Sequence, residues 1–238
     1  KGGIKAHVIL SLHSLIPDIV WMSAASKNDK DFLGQLKPLK GEIYIFDKGY
    51  VNYNYYETWT DDGVFFVTRL NDNGSYEIIS EKEILERDAE IDGVLKDQII
   101  SLKTEKGQLE ARLITFKSLT TNKTYTFLSN MFDVEATTIA KLYKNRWEIE
   151  PFFKQLKQNF ELKAFYSDSK EGIKTQIWVA MIANLIFTVI HRKIKQAEAF
   201  SSIVQMARTN LGSYIRFTDA IIIKSWRGLE KNIGFRFL

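Results

Sequence analysis

Short strand-like and helix-like patterns alternate along the first seventy residues. Apolar residues at every second position from Ile4 to Leu12 predict a half-buried strand, with Lys5 and His7 on its polar face. A partner strand is predicted over 16–22, because Pro17 is tolerated at the start of a strand. Two further strands are predicted at 42–46 and 64–69, with short helices at 32–36 (capped by Asn28 or Asp29) and 53–60. This alternation is typical of an α/β fold.

The pattern changes after about residue 72. Four apolar runs separated by polar turns predict antiparallel strands that form an insertion or an extension of the sheet: 76–79, 98–102, 109–116 and 124–128. Helical periodicity then predicts a long helix opening at Asp133 and two more helices over 175–197 and 200–211. In the first of these two, an apolar stripe is expected to face a core: Trp178, Met181, Leu185 and Ile186.

Composition narrows the class of protein. The 238 residues are 45% hydrophobic and 26% charged, as in a folded globular protein, which excludes disorder, collagen and coiled coil. The absence of cysteine excludes a disulfide scaffold, a thiol nucleophile and a thiolate zinc site, and fits a reducing cytosol. The longest apolar run, 177–190, contains Asn184 and is too short to cross a bilayer, so no membrane partner is expected.

Charge is unevenly distributed although the formal net charge is only +4. Residues 76–110 hold 10 acidic and 5 basic residues, whereas 190–238 hold 9 basic and 3 acidic and 139–163 hold 6 basic and 3 acidic. The basic C-terminal hundred residues suit contact with a polyanion, and a solvated surface is the alternative interpretation.

Residues 142–157 carry the first candidate site. In a continuous helix, four polar residues fall within an arc of roughly 60°: Tyr143, Arg146, Glu150 and Lys157. An apolar stripe beside them would anchor the helix, so the carboxylate would lie at a core boundary where a metal and a phosphodiester could both be held. An ordinary amphipathic helix with Arg146 and Glu150 as an i,i+4 pair is the alternative.

Asp47 is the second candidate. It ends an apolar strand, and strand-end carboxylates are favoured ligand positions in open α/β sheets. Gly49 then permits a sharp turn or close approach of the backbone. The alternative is an aspartate that caps a turn.

Together these residues resemble a known signature. Tyr143-x2-Arg146-x3-Glu150-x6-Lys157 is similar to the Tyr-Arg-Glu-Lys signature of bacterial insertion-sequence transposases of the insertion-sequence-four family. Ile45-Phe-Asp-Lys-Gly-Tyr50 resembles the strand end that bears the second aspartate of their Asp-Asp-Glu triad. Residues 1–7 and 66–70 resemble other blocks, so the resemblance runs from residue 1 to about 190.

The resemblance implies a ribonuclease-H-like mixed sheet flanked by helices, with a β-strand insertion and a helical C-terminal part. The corresponding division is 1–71 for the first part of the core, 72–130 for the β-rich insertion, 131–165 for the catalytic helix and 166–238 for the helical part. The implied activity is cut-and-paste DNA transposition by metal-dependent cleavage and strand transfer.

The resemblance also implies roles for the site residues. Asp47 and Glu150 would be catalytic metal ligands for two Mg²⁺ or Mn²⁺ ions, and Tyr143, Arg146 and Lys157 would contact DNA. The implied partner is double-stranded DNA bound by a homodimer, in the cytoplasm and associated with the nucleoid.

Two departures from the family pattern matter. The block with the first aspartate is absent and the chain begins at Lys1, so a fragment of a longer chain is expected, inactive or nearly so by itself. The alternatives are a silent DNA-binding remnant and a metal-dependent nuclease without strand transfer.

The second departure is Pro151, directly after Glu150. It is expected to kink the helix, which makes Lys157 the least secure of the four residues.

Overall fold

A computed structural model describes residues 3–70, 74–84, 93–118, 120–160, 162, 164–194 and 198–210. They fall into two compact units that divide between Ile149 and Glu150, and the short segment Ser14–Ile16 belongs to the second unit. The part of the C-terminal segment expected beyond residue 210 lies outside the described residues.

The first unit opens with the predicted pair of strands. Strand β1 (Ile4–Leu10) pairs antiparallel with β2 (Pro17–Ala24). A 3₁₀ helix follows at Asp29–Gln35, and the Asn28 side chain caps it by accepting a hydrogen bond from the Lys30 N–H. Both strands and the cap confirm the prediction, with one correction. His7, expected on the polar face, is only 1% exposed.

Six strands form one mixed sheet. Their bounds are β3 (Ile43–Ile45), β4 (Phe65–Arg69), β5 (Glu77–Glu81), β6 (Val94–Lys103), β7 (Gln108–Lys117) and β8 (Thr124–Ser129). The strand order is β3-β4-β8-β7-β6-β5, in which β3 and β4 are parallel and all other pairs are antiparallel. The mixed α/β fold is confirmed, and the strands of 72–130 extend the same sheet. The four-part division of the chain stays a prediction.

Helices cover both faces of this sheet. Helix α1 (Tyr53–Asp61) packs on one face, where the Tyr56 ring stacks on Phe66 with centroids 4.3 Å apart. Helix α2 (Ala136–Lys144) packs on the other face, where Val67 shares a core with Ile139. Neighbouring residues of β4 therefore face opposite cores, which explains its continuous apolar run.

A buried ion pair ties the sheet to the start of α2. Arg112 on β7 donates two hydrogen bonds to the carboxylate of Asp97 on β6, at 2.8 and 2.6 Å, and the two side chains are 4% and 8% exposed. The same guanidinium donates to the carbonyl oxygens of Met131, Phe132 and Val134. Arg112 thus fixes the segment that leads into α2.

The described part of the second unit is helical. It contains α3 (Ile149–Asn159, whose first residue lies in the first unit), α4 (Lys170–Lys193) and α5 (Phe200–Asn210). The Gln155 amide on α3 donates to the Asn184 side-chain oxygen on α4 at 2.7 Å. The predicted helices 175–197 and 200–211 are confirmed within the described residues, with shifted ends.

The predicted core stripe of α4 is largely wrong. Met181 is buried, but Trp178, Leu185 and Ile186 are 43%, 39% and 52% exposed. The buried positions are instead Ile177, Ala180, Met181 and Asn184. Because α4 is apolar around most of its circumference, periodicity alone could not identify the inward face.

The length and apolar character of α4 also bear on whether the chain has a membrane partner. Over its most apolar stretch its mean hydropathy is 1.7, so by length and composition alone this helix could cross a bilayer. The core helix of a soluble protein can meet the same criterion, and in this helix the Asn184 side chain is bonded to Gln155. The expected absence of a membrane partner stays a prediction.

Candidate active site

Asp47 lies two residues beyond the end of β3, at the carboxyl edge of the parallel pair β3 and β4, and is exposed. Its Oδ1 accepts a hydrogen bond from the Lys48 N–H at 2.9 Å, and its carbonyl oxygen accepts one from the Tyr50 N–H at 3.0 Å. Asp47 therefore caps the 3₁₀ turn Lys48–Tyr50, as the capping interpretation predicted. The residue is exposed, so its carboxylate is accessible to a ligand.

Tyr143 reaches this aspartate from α2. Its ring is buried against Phe127 of β8, with centroids 4.9 Å apart, and its hydroxyl donates to Asp47 Oδ1 at 3.3 Å. The pKa of Tyr143 is raised above its usual value of 10, because the effect of burial outweighs the opposing positive charge of Arg146. The hydroxyl stays protonated at neutral pH and can act as a donor to the carboxylate.

Two arginines carry positive charge that lowers the pKa of Tyr143 against the effect of burial. The Arg146 guanidinium lies 5.6 Å from the centroid of the Tyr143 ring. Arg69, the last residue of β4, lies 5.2 Å from the centroid of the Tyr125 ring. Arg69 was not among the predicted site residues. The parallel pairing of β3 with β4 sets Ile45 beside Val67 and brings the ends of the two strands to one edge of the sheet.

The expectation of one continuous helix through residue 157 is wrong. Helix α2 begins at Ala136 and ends at Lys144, a 3₁₀ turn spans Asn145–Glu148, and α3 begins at Ile149. Pro151 has no N–H to bond the Trp147 carbonyl and would clash with it in a continuous α-helix. The chain resolves this conflict by restarting the helix, which places Pro151 in the first turn of α3, where proline is tolerated. The arc of roughly 60° computed for a regular helix therefore does not apply.

The five predicted site residues fall into two groups. Asp47, Tyr143 and Arg146 lie in the first unit, and the structure brings these three together. Glu150 and Lys157 lie in the second unit, both exposed on α3. They are seven residues apart, so they share one face of that helix.

The donor chemistry of these residues fits a hard divalent ion. Carboxylate oxygens are the ligands that Mg²⁺ prefers, and Asp47 presents an exposed carboxylate whose Oδ1 accepts a hydrogen bond from Tyr143. Among the described residues, no group of three or more His, Cys, Asp or Glu side chains is arranged to hold a metal. The described part of the chain thus offers separate carboxylate ligands and not a complete cage.

Comparison with known proteins decides the family. Residues 1–186 match the family described as "Transposase DDE domain". The chain belongs to this family of insertion-sequence DDE transposases. The mixed sheet flanked by helices is consistent with the ribonuclease-H-like fold expected for such a transposase.

Individual transposases support this assignment. The chain is 31% identical over 195 residues to the putative transposase y4zB of Sinorhizobium fredii, a match that covers 80% of this chain and 54% of the relative. It is 22% identical to the probable transposase for insertion sequence element IS5377 of Geobacillus stearothermophilus, over 82% of this chain and 52% of the relative. The chain therefore spans about half the length of these two curated relatives. Membership of the insertion-sequence-four family in particular stays a prediction.

Proposed function

We propose that this transposase domain carries out cut-and-paste DNA transposition by metal-dependent phosphodiester cleavage and strand transfer, with Asp47 and Glu150 as catalytic metal ligands. One observation carries the proposal. Tyr143, the first residue of the signature, donates a hydrogen bond to the strand-end Asp47 from 96 residues further along the chain. The strand end with Asp47 and the signature that begins at Tyr143 were identified separately in the sequence, and this hydrogen bond joins them.

Each ligand has a defined task. Two divalent ions, Mg²⁺ or Mn²⁺, would when bound activate a water or a 3′-hydroxyl and stabilise the leaving oxygen. Asp47 would bind through its carboxylate, whose orientation Tyr143 fixes by a hydrogen bond to Oδ1. Glu150 would contribute its carboxylate from the first turn of α3.

The cationic residues would hold the DNA. Arg146 lies beside the Tyr143 ring, so its charge can neutralise a phosphate close to Asp47. Lys157, two turns beyond Glu150 on α3, would neutralise another phosphate, and Tyr143 would position the strand backbone through its hydroxyl, because its ring is buried. Such contacts place the DNA but do not read its sequence.

The assembly is also part of the proposal. The substrate would be double-stranded DNA carrying paired transposon ends, and two ends need two active sites, which a homodimer supplies. The protein would act in the cytoplasm, associated with the nucleoid.

Residues 1–238 alone are proposed to cleave DNA slowly or not at all. Asp47 and Glu150 are two of the three carboxylates of the proposed triad, and a smaller ligand set holds divalent ions more weakly. Cleavage of a duplex bearing the element's own ends should be measured with Mg²⁺, with purified 1–238 and with the complete reading frame that encodes it. Rapid Mg²⁺-dependent cleavage by 1–238 would contradict the proposed inactivity.

Matched variants of the complete protein test the triad. Glu150→Gln should abolish cleavage, whereas Glu148→Gln, an exposed acid two residues earlier, should leave it unchanged. Specific binding with no cleavage by the complete protein would favour a silent DNA-binding remnant. Cleavage without joining of the ends would favour a metal-dependent nuclease.

A further inference from the structure

His7 is a buried polar residue in the middle of β1. It is 1% exposed, and its ring stacks on Phe32 with centroids 5.1 Å apart. Both ring nitrogens have partners: Nδ1 lies 2.9 Å from the Tyr50 hydroxyl and Nε2 lies 3.1 Å from the Ser23 hydroxyl. Buried polar atoms need hydrogen-bond partners, and those of His7 come from two different elements, strand β2 and the turn Lys48–Tyr50.

The hydrogen-bond chain favours one tautomer of His7. The Ser23 hydroxyl lies 3.3 Å from the Ala24 carbonyl oxygen, and a hydroxyl that donates its single proton there accepts from His7 Nε2–H. In the neutral imidazole the other nitrogen, Nδ1, is then an acceptor, and the Tyr50 hydroxyl is its donor. Burial and the charges of Asp29 and Asp47 raise the pKa of Tyr50 to about 12, so this hydroxyl carries its proton at neutral pH.

Tyr50 is the last residue of the turn that Asp47 caps. Its N–H donates to the Asp47 carbonyl oxygen at 3.0 Å, and its own carbonyl oxygen accepts from the Tyr56 hydroxyl at 3.3 Å. The side chain of Tyr50 is thereby anchored in the hairpin of β1 and β2, and its backbone is anchored to α1. One end of the turn is held by these anchors, and the other end presents Asp47.

We propose that His7, as the Nε2–H tautomer, is a positioning residue for Asp47, because it holds the Tyr50 hydroxyl and thereby fixes the turn that presents the carboxylate. The consequence for metal binding rests on the proposed function of Asp47. The anchoring of the turn does not, and it can be measured without metal.

Two substitutions of His7 separate its nitrogens. The side-chain oxygen of asparagine lies the same number of bonds from Cα as Nδ1, so His7→Asn keeps an acceptor for Tyr50. The amide of glutamine reaches the position of Nε2, so His7→Gln keeps the Ser23 contact and loses the Tyr50 contact. Both variants lose the same ring stacking on Phe32, which makes each the control for the other.

Amide hydrogen exchange of Tyr50 and Val51 reports the turn, because their N–H groups close it onto Asp47 and Lys48. Exchange should accelerate by about tenfold in His7→Gln and in Tyr50→Phe, the size expected for one lost hydrogen bond with a buried partner. It should stay close to wild type in His7→Asn. Amides of β6 and β7 provide the reference for global unfolding.

Two results would overturn the proposal. The first is equal exchange of the turn in the Asn and Gln variants, which would mean that the ring only fills the core. The second is a nitrogen NMR spectrum of His7 with the proton on Nδ1 at neutral pH.

Metal binding is measured separately by Mn²⁺ broadening of the Lys48 and Gly49 amide signals. His7→Gln should weaken Mn²⁺ binding by roughly tenfold relative to His7→Asn, and Asp47→Asn should abolish it. Broadening that is absent in wild type or unchanged in Asp47→Asn would contradict the proposed ligand role of Asp47, while the exchange comparison would still decide the role of His7.

Discussion

The Tyr143 hydroxyl donates to Asp47 Oδ1 at 3.3 Å, so the end of strand β3 and helix α2 meet at one carboxylate. The Tyr143 ring is packed against Phe127, which leaves its hydroxyl little freedom to move away. A metal ligand whose second oxygen is already held loses less rotational freedom on binding. Tyr143 therefore orients Asp47 in addition to its proposed contact with DNA.

Removing only this hydroxyl tests the relationship. Tyr143→Phe keeps the ring packing on Phe127, so the fold should be retained. Cleavage by the complete transposase should fall by about tenfold to a hundredfold, the usual effect of losing a group that orients a metal ligand. The measurement is the single-turnover cleavage rate at several Mg²⁺ concentrations.

A neighbouring tyrosine provides the control. Tyr125 also stacks on Phe127, with centroids 6.1 Å apart, and its hydroxyl does not bond Asp47. Tyr125→Phe should leave the Mg²⁺ dependence of cleavage unchanged. Equal effects of the two substitutions would show that the hydroxyl of Tyr143 does not act through Asp47.

Breaking the buried pair of Asp97 and Arg112 should destabilise the first unit more than breaking an exposed ion pair. Asp97→Asn leaves a buried guanidinium without its counter-charge, so the free energy of unfolding should fall by about 3–5 kcal/mol. The Lys5 and Asp29 pair is the contrast, because both side chains are 34% exposed and Asp29→Asn should cost less than about 1 kcal/mol. Urea denaturation of each variant compares the two, and similar losses would contradict this ranking.

The sequence predicted the local elements of the fold because each has a local cause. Strand β4 reads as a continuous apolar run because its neighbouring residues face opposite cores, and Asn28 caps its turn through a contact two residues away. The pairing of β3 with β4 is not local, so the effect of the Arg69 charge on the Tyr143 hydroxyl could not be predicted.

Two other features escaped prediction for different reasons. Period-two alternation placed His7 outward, because a histidine counts as polar until its partners Ser23 and Tyr50 are known. Pro151 was recognised as a disturbance, but the residue at which the helix would break depends on the 3₁₀ turn that relieves the clash at Trp147. The grouping of Asp47 with Tyr143 was predicted only through the family resemblance.

The stability of the chain should depend on pH through His7. The pKa of His7 lies below its usual value of 6.5, chiefly because the ring is buried. The negative charge of Asp29 opposes this shift, and the positive charge of Lys5 adds to it. The unfolded chain takes up a proton near pH 6.5 and the folded chain only at lower pH, so the free energy of unfolding should decrease as the pH falls below about 6.5. In that window one histidine contributes at most about 1.4 kcal/mol per pH unit.

The urea midpoint measured from about pH 7.5 down to about pH 5 checks this dependence. His7→Asn should flatten the curve below pH 6.5, because the substituted side chain takes up no proton. His13→Asn, at an exposed turn, should leave the curve as in wild type. A His7→Asn curve as steep as that of wild type would assign the dependence to other groups.

Lys157 and Lys103 distinguish a phosphate contact from general positive charge. Both are exposed, but only Lys157 shares the helix face of Glu150, whereas Lys103 ends β6 at the edge of the sheet opposite to the end of β4. If Lys157 neutralises one phosphate, Lys157→Gln should reduce the slope of log affinity against log salt concentration by about 0.9, equally for specific and random duplexes. Lys103→Gln should leave the slope nearly unchanged, because a lysine that contacts no phosphate releases no condensed counterion. Equal slopes for the two variants would mean that the protein attracts DNA only through its net charge, and Lys157 would lose its proposed contact.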